Sequence, residues 1–389
     1  MYFRHLDRQL KYHFDRRKEI LILLGARQVG KTTIAKKLFP EALYLSVDTE
    51  TIRQTLNKFD PAVYRQLLVP AKKTVVIDEG HLLADPGRTA KIFYDQIPEV
   101  RLIITGSSSF RIKHHTSESL AGRKVDYYLY PLTLTEYLHQ KGISGRMEFP
   151  VLSQLEQGTV LPPQKSYLFD LFSILENTLV YGLYPALVSQ PNDEVYLKTL
   201  IDSAVFKDLL DLSLIENRQA AHNLLRLLAF QVGALVNYSE LASRLNIEVR
   251  TVKRYIGLFE QSFIIFTLPP FLRRARGEIG KMSKIYFYDV GLRNALIDNF
   301  QPLAVRGDVG ALWENFVISE IWKANYYGSF GYKLHFWRTK QGSETDLVLE
   351  RNDRLVGLEI KSGRRRTNIA FKNRYPQAKV STITKHNLY

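Results

Sequence analysis

The chain has 389 residues, a hydrophobic fraction of 45%, no cysteine and a formal net charge of +15 at pH 7. That length and apolar content support two or three domains with a real core and exclude a disordered or low-complexity chain. The absence of cysteine excludes disulfides and thiolate-bound zinc and fits a reducing compartment, while the basic excess calls for a polyanionic partner, of which nucleic acid leads.

The start, Met1-Tyr2-Phe3-Arg4-His5-Leu6-Asp7-Arg8, is too charged for a signal peptide. No apolar run approaches the roughly 18–20 residues of a membrane span, so the expected location is the cytoplasm, with no membrane partner. Residues 1–18 read as a helical lead-in with a basic stretch. Residues 19–140 then alternate apolar strands with helical segments, the pattern of an α/β parallel sheet. Ile20-Leu21-Ile22-Leu23-Leu24 reads as a buried strand, and Thr33-Ile34-Ala35-Lys36-Lys37-Leu38-Phe39 has helical spacing. Between them Gly25-Ala26-Arg27-Gln28-Val29-Gly30-Lys31-Thr32 matches G-x-x-x-x-G-K-[ST] in full. Strand, loop and helix aim backbone N–H groups and a helix N-terminus at a polyphosphate, so Gly25 through Thr33 are expected to hold ATP. Lys31 is assigned to the β- and γ-phosphates and the Thr32 hydroxyl to Mg²⁺. No motif separates ATP from GTP.

Leu43-Tyr44-Leu45-Ser46-Val47-Asp48 reads as a second strand and residues 61–68 as a helix, with little period in residues 49–59 between them. Thr74-Val75-Val76-Ile77-Asp78-Glu79 is a β-branched run ending in two acids, which emerge at the carboxyl end of a parallel strand, where such sheets place their ligands. Asp78 is then the Mg²⁺-side carboxylate, acting through water, and Glu79 the base that polarises the attacking water. A nucleotide switch needs no base there, whereas a hydrolase does. Arg101-Leu102-Ile103-Ile104-Thr105-Gly106 is a further strand, followed by Ser107-Ser108-Ser109. Ser107 is the candidate sensor of the γ-phosphate; the alternative is that these serines cap the next helix.

Residues 141–215 read as a linker followed by a helical lid, the linker marked by Gly, Ser, Gln and the pair Pro162-Pro163. Phe169, Leu171, Phe172, Leu175 and Leu179 form one apolar helical face, a core stripe rather than a ligand site. Residues 216–270 have the rhythm of a winged helix. Ser239 to Leu245 is the first helix, Asn246-Ile247-Glu248 the turn, Val249 onward the second helix, and Phe263-Ile264-Ile265-Phe266-Thr267-Leu268 a wing strand. Arg250, Lys253 and Arg254 on the second helix are placed for phosphate or groove contacts, or are solvated residues of a packing module.

In residues 271–389 two alternating runs flank Asn352-Asp353, a hairpin signal. A two-residue turn there pairs Arg351 with Arg354, sets Asp346 opposite Glu359 and Glu344 opposite Lys361, and puts Asp346, Glu359 and Lys361 on one face. Facing carboxylates repel unless a cation lies between them. A second Mg²⁺ held by Asp346, Glu359 and the Ile360 carbonyl would relieve this, with Glu314 completing the cluster and Lys361 orienting or deprotonating a water. This is the D-x(n)-E-x-K arrangement of restriction-type nucleases. Arg364, Arg365 and Arg366 follow with no intervening acid and suit a nucleic-acid backbone. The plain alternative is a hairpin with a charged face, in which Asp346 pairs with Lys361.

In combination, residues 25–33, 75–82, 102–109, 119–123, 130–137, 284–292 and 359–361 resemble a bacterial and archaeal family of AAA-type ATPases with a C-terminal restriction-nuclease-like domain of unknown function. The resemblance spans nearly the whole chain. It implies an ATP-hydrolysing homo-oligomer, a hexamer or other ring, with a helical lid, a winged-helix segment and a PD-(D/E)xK nuclease-like domain. It puts Arg123 where such ATPases place an arginine finger, with Arg88 and Arg111 as alternatives. Three functions stay open: a motor on duplex or branched DNA, as in recombination or repair; a nucleotide-dependent switch that recruits a protein partner in regulation or defence; and an ATP-gated DNA endonuclease.

Overall fold

The structure is a computed structural model that describes residues 3–69, 72–107, 120–145, 148–157, 167, 169–202, 214–272, 282–363 and 369–389. Ser108, Ser109, Arg111 and Arg364, Arg365 and Arg366 lie outside the described residues. The chain divides into two compact units, residues 1–131 with 261–263, and residues 132–260 with 264–389. Among the described residues no helix is long and apolar enough to cross a membrane.

The first unit is built on a five-stranded parallel sheet in the order β2-β3-β4-β1-β5, with β1 Ile20–Leu24, β2 Leu43–Ser46, β3 Thr74–Asp78, β4 Arg101–Gly106 and β5 Lys124–Tyr128. Every residue of β1 is buried, as a central strand covered on both faces requires. Residues 49–59, which show no period, contain the helix Glu50–Leu56. Leu56 is the one residue of that helix that is buried, and surface pairs such as Gln54 Nε2 to Glu50 Oε1 at 2.9 Å brace it, so it has no apolar stripe to read.

The lead-in belongs to this unit rather than standing apart. Its helix, Asp7–Arg16, is tied by Asp7 to Lys37 at 2.6 Å. Arg4 is buried and donates to the Val29 carbonyl at 2.7 Å and the Tyr130 carbonyl at 2.6 Å.

The division between the two compact units falls after Pro131. The helix Leu134–Gln140 starts from a capping box between Thr133 and Glu136. The Leu132 N–H donates to Leu183 at 2.9 Å and the Leu134 N–H to Glu320 at 2.8 Å, both within the second unit. The expected lid, winged-helix and C-terminal domains fold together in that unit.

Its helix-turn-helix pairs Tyr238–Leu245 with Val249–Gln261. Asn237 caps the first helix by accepting from Ser239 and Glu240, and Asn246 turns the chain in a left-handed conformation at φ 51°. The second helix buries Val252, Tyr255, Ile256, Leu258 and Phe259. The wing is β6 Ile265–Leu268 antiparallel to β7 Lys284–Phe287.

A mixed sheet follows in the order β11-β10-β9-β8, with β8 Lys333–Arg338, β9 Glu344–Arg351, β10 Arg354–Ile360 and β11 Lys379–Ile383. Its core gathers Phe271, Trp337, Val348, Leu355, Phe371 and Tyr375. The β9–β10 register runs from Arg351 opposite Arg354 to Leu347 opposite Leu358, as the two-residue turn requires. Residues 284–292 also have a structural task. Asp289 is buried, accepts the Leu183 N–H at 2.7 Å and the Leu292 N–H at 3.0 Å, and leaves no room for a Cβ at Gly182, whose φ is +77°.

Candidate active site

The phosphate loop leaves the carboxyl end of β1. A side chain at Gly25 would collide with the Leu129 carbonyl, so only glycine fits. Gly30, at φ +96°, is the N-cap of the helix Lys31–Leu38, whose first N–H groups open toward the loop. Lys31 is buried, and its Nζ donates to the Gly25 carbonyl at 3.0 Å and the Ala26 carbonyl at 2.9 Å. The loop thus surrounds its own ammonium group. Arg27 is half-buried and Gln28 and Thr33 are exposed.

β3 delivers the two acids. Thr32 Oγ1 donates to Asp78 Oδ2 at 2.9 Å, and the Thr105 hydroxyl donates to Asp78 Oδ1. The Thr105 oxygen also accepts the Glu79 N–H at 3.2 Å. Glu79 sits in the left-handed region at φ 58° and ψ 38°, a conformation that costs a non-glycine residue on the order of 1–3 kcal/mol and turns the chain sharply off the strand. Gly80 follows against Ile104, with no space for a Cβ.

His81 is fully buried behind Glu79. Its Nδ1 lies 3.2 Å from Glu79 Oε2 and its Nε2 lies 3.1 Å from Ser107 Oγ. The expected base and the expected sensor therefore meet through one imidazole. Thr32, Asp78 and Thr105 form an all-oxygen donor set that fits Mg²⁺, a hard cation that takes hydroxyl and carboxylate oxygens.

Arg123 lies elsewhere. Lys124 pairs with Ile20 at the start of β1, so Arg123 and its own phosphate loop are at opposite ends of the sheet, separated by roughly 13 Å of strand. Its Nε donates to Asp95 at 3.1 Å. Arg88 stacks over the Phe59 ring at 4.6 Å.

On the helix Val249–Gln261, Arg250, Lys253 and Arg254 are exposed opposite the buried face. Arg254 pairs with Glu216 at 3.0 Å, and Lys253 Nζ lies over the Tyr238 ring at 5.6 Å.

The C-terminal acids come together in part. Lys361 Nζ lies 3.2 Å from Asp346 Oδ2 and 3.0 Å from Glu359 Oε2, as the hairpin register anticipates. The Ile360 N–H donates to Asp346 Oδ2 at 2.7 Å. Burial works to lower the Lys361 pKa, but Asp346 and Glu359 hold it above the ordinary lysine value.

The expected joint ligand set of Glu314, Asp346 and Glu359 is not formed: among the described residues no three His, Cys, Asp or Glu side chains converge as a metal site. Glu314 Oε1 instead accepts the Tyr286 hydroxyl at 2.6 Å and lies 3.2 Å from Lys284 Nζ.

Sequence reasoning passed over four residues. Thr105 and His81 carry a signal, a hydroxyl and an imidazole at strand ends beside the acids. Lys284 opens an otherwise apolar strand, which demands a buried counter-charge. Arg4 carries none.

A family model described as an AAA domain matches residues 17–138. Two models described as domains of unknown function, DUF8612 and DUF4143, match residues 173–303 and 309–386. The chain is similar to the uncharacterized protein Rv2008c of Mycobacterium tuberculosis, 25% identical over 356 residues that cover 89% of this chain and 70% of that one. It is also similar to the uncharacterized protein MJ1637 of Methanocaldococcus jannaschii, 24% identical over 383 residues, 93% of this chain and 80% of that one. Among solved structures, the Walker-type ATPase PABY2304 of Pyrococcus abyssi aligns with a TM-score of 0.46 at 14% identity, over 76% of this chain and 96% of that one. The parallel sheet, the phosphate loop at the end of β1 and the match over residues 17–138 identify the first part of the chain as an AAA-type P-loop ATPase domain.

Proposed function

We propose that the chain hydrolyses ATP with Mg²⁺ and uses that turnover, as a homo-oligomer, to move along or remodel duplex or branched DNA. The observation that carries hydrolysis, beyond nucleotide binding, is Glu79, turned off the end of β3 beside Asp78, with His81 Nδ1 3.2 Å from its carboxylate.

In this reading Lys31 exchanges the Gly25 and Ala26 carbonyls for the β- and γ-phosphate oxygens. Glu79 orients a water and accepts its proton as the water oxygen attacks the γ-phosphorus and the bond to the β-phosphate oxygen breaks, giving ADP and phosphate. Thr32 and Asp78 would hold Mg²⁺, which would supply charge neutralisation at the phosphate oxygens. Ser107 senses the γ-phosphate and passes its state to Glu79 through His81. Arg123, at the far end of the sheet from its own loop, is suited to a neighbouring subunit's nucleotide, which supports a ring or partial ring. The charge of +15 and the exposed Arg250, Lys253 and Arg254 support DNA as the track.

The test is steady-state ATPase with and without duplex, single-stranded and four-way-junction DNA, at low and moderate salt. Several-fold stimulation by one structure, lost as salt rises, is expected. No stimulation by any DNA would overturn the motor and favour a protein-recruiting switch.

A further inference from the structure

The D-x(n)-E-x-K pattern implies a divalent cation in the C-terminal unit, and the groups present there do not fit one. Four carboxylates, Glu314, Glu344, Asp346 and Glu359, are met by three fixed cations. Lys284 Nζ lies 3.2 Å from Glu314 Oε1 and also pairs with Glu344 Oε1. Arg338 lies 3.1 Å from Glu344 Oε2. Lys361 pairs with Asp346 and Glu359. Neutral donors take further positions, the Tyr286 hydroxyl on Glu314 and the Ile360 N–H on Asp346. An Mg²⁺ ion binds through carboxylates and retained waters, and here those carboxylates already carry ammonium, guanidinium and N–H partners.

Lys284 is not free to leave. Its side chain is 2% exposed, its Nζ lies 5.6 Å from the Phe336 ring centroid, and its backbone is held on both sides, opposite Leu268 in the wing and opposite Leu235 in an isolated bridge. Burial works to lower its pKa, but the charges of Glu314 and Glu344 outweigh that and keep it above the ordinary lysine value. Among the described residues Glu359 Oε1 is buried with no hydrogen-bond partner. Burial, then the Asp346 charge, pushes that carboxyl upward, and Lys361 opposes the shift.

We propose that Lys284 is the resident cation of this centre, an internal ammonium that closes the carboxylate cluster to divalent metal and leaves it unable to cut phosphodiesters. The cluster is a clamp. Lys284 in β7, Glu314 in the helix Val309–Tyr327 and Glu344 at the start of β9 tie the wing hairpin to the C-terminal sheet. A nuclease-like face is retained on Asp346, Glu359 and Lys361, but the Lys361 ammonium already lies between its two carboxylates.

The experiment is a Mn²⁺ titration of the nucleotide-free full chain, read by the electron-paramagnetic signal of free Mn²⁺, on the wild type, Lys284→Ala, Asp346→Asn and the double variant. Wild type and Asp346→Asn are expected to bind equally little, while Lys284→Ala gains a Mn²⁺ site that the double variant lacks. A site in the wild type that Asp346→Asn removes would overturn the proposal. So would a Lys284→Ala protein with native circular dichroism that gains no site. Should Lys284→Ala not fold, the wild type and Asp346→Asn decide: equal binding upholds the closed centre, and a loss on Asp346→Asn overturns it.

Discussion

Asp78 in the first unit is partnered by two neutral hydroxyls, Thr32 and Thr105, whereas Glu314 and Glu344 in the second share a buried ammonium, Lys284. Both clusters gather carboxylates at strand or helix positions that a motif predicts. A hydroxyl satisfies a lone pair without cancelling the charge, so Asp78 keeps its attraction for a cation that arrives with the substrate. An ammonium offsets one unit of that charge from within. The number of carboxylates therefore does not tell a metal site from a clamp; the charge of their partners does.

The largest effect expected of a substitution falls on turnover. Glu79→Gln should lower kcat by about 10²–10⁴-fold while keeping ATP binding, as loss of a general base does. Parallel phosphate-release and nucleotide-binding assays check this, and normal turnover in the variant would remove Glu79 as the base.

The next contrast sets the two lysines against each other. Among the described residues Lys284→Ala leaves Glu314 with only the Tyr286 hydroxyl and Glu344 with Arg338, and should cost the second unit about 3–5 kcal/mol in urea unfolding, the cost of breaking a buried ion pair from one side. Lys31→Ala should abolish nucleotide binding with a much smaller shift, because its partners are loop carbonyls with other recourse to water. Equal destabilisation by both would break the distinction between a binding cation and a clamping one.

A smaller effect is expected at His81, a positioning residue. His81→Ala should lower kcat about tenfold, roughly 1.4 kcal/mol of barrier, with the KM for ATP unchanged, and His81→Gln should recover part of it. A change confined to KM or to stability would make the imidazole a packing group. Smallest of all, Asp346→Asn should leave the ATPase rate within about twofold of wild type, since the C-terminal acids take no part in that chemistry; Mg²⁺-dependent DNA cleavage that disappears in this variant would contradict the clamp.

How much of this was readable differs along the chain. The positions of the phosphate loop at the end of β1 and of Asp78 and Glu79 at the end of β3 were legible because each segment is contiguous in sequence and flanked by the strand that aims it. The β9–β10 register was legible because Asn352 tolerates the turn's positive φ of 52° and a two-residue turn fixes every pair that follows. The helix Glu50–Leu56 was not, because a single buried residue leaves no period. The role of Lys284 was not legible either. Its presence in an apolar strand signals a buried partner, but Glu314 and Glu344 are distant in sequence and joined to it only by folding. Arg4 reaches the phosphate loop through backbone carbonyls, which no residue pattern advertises.

The central contrast is tested most directly by counting Mn²⁺ bound per chain in the presence of a non-hydrolysable ATP analogue. One ion per chain is expected, present only with nucleotide, weakened by Asp78→Asn and untouched by Asp346→Asn. A second ion per chain, bound without nucleotide and lost on Asp346→Asn, would contradict it.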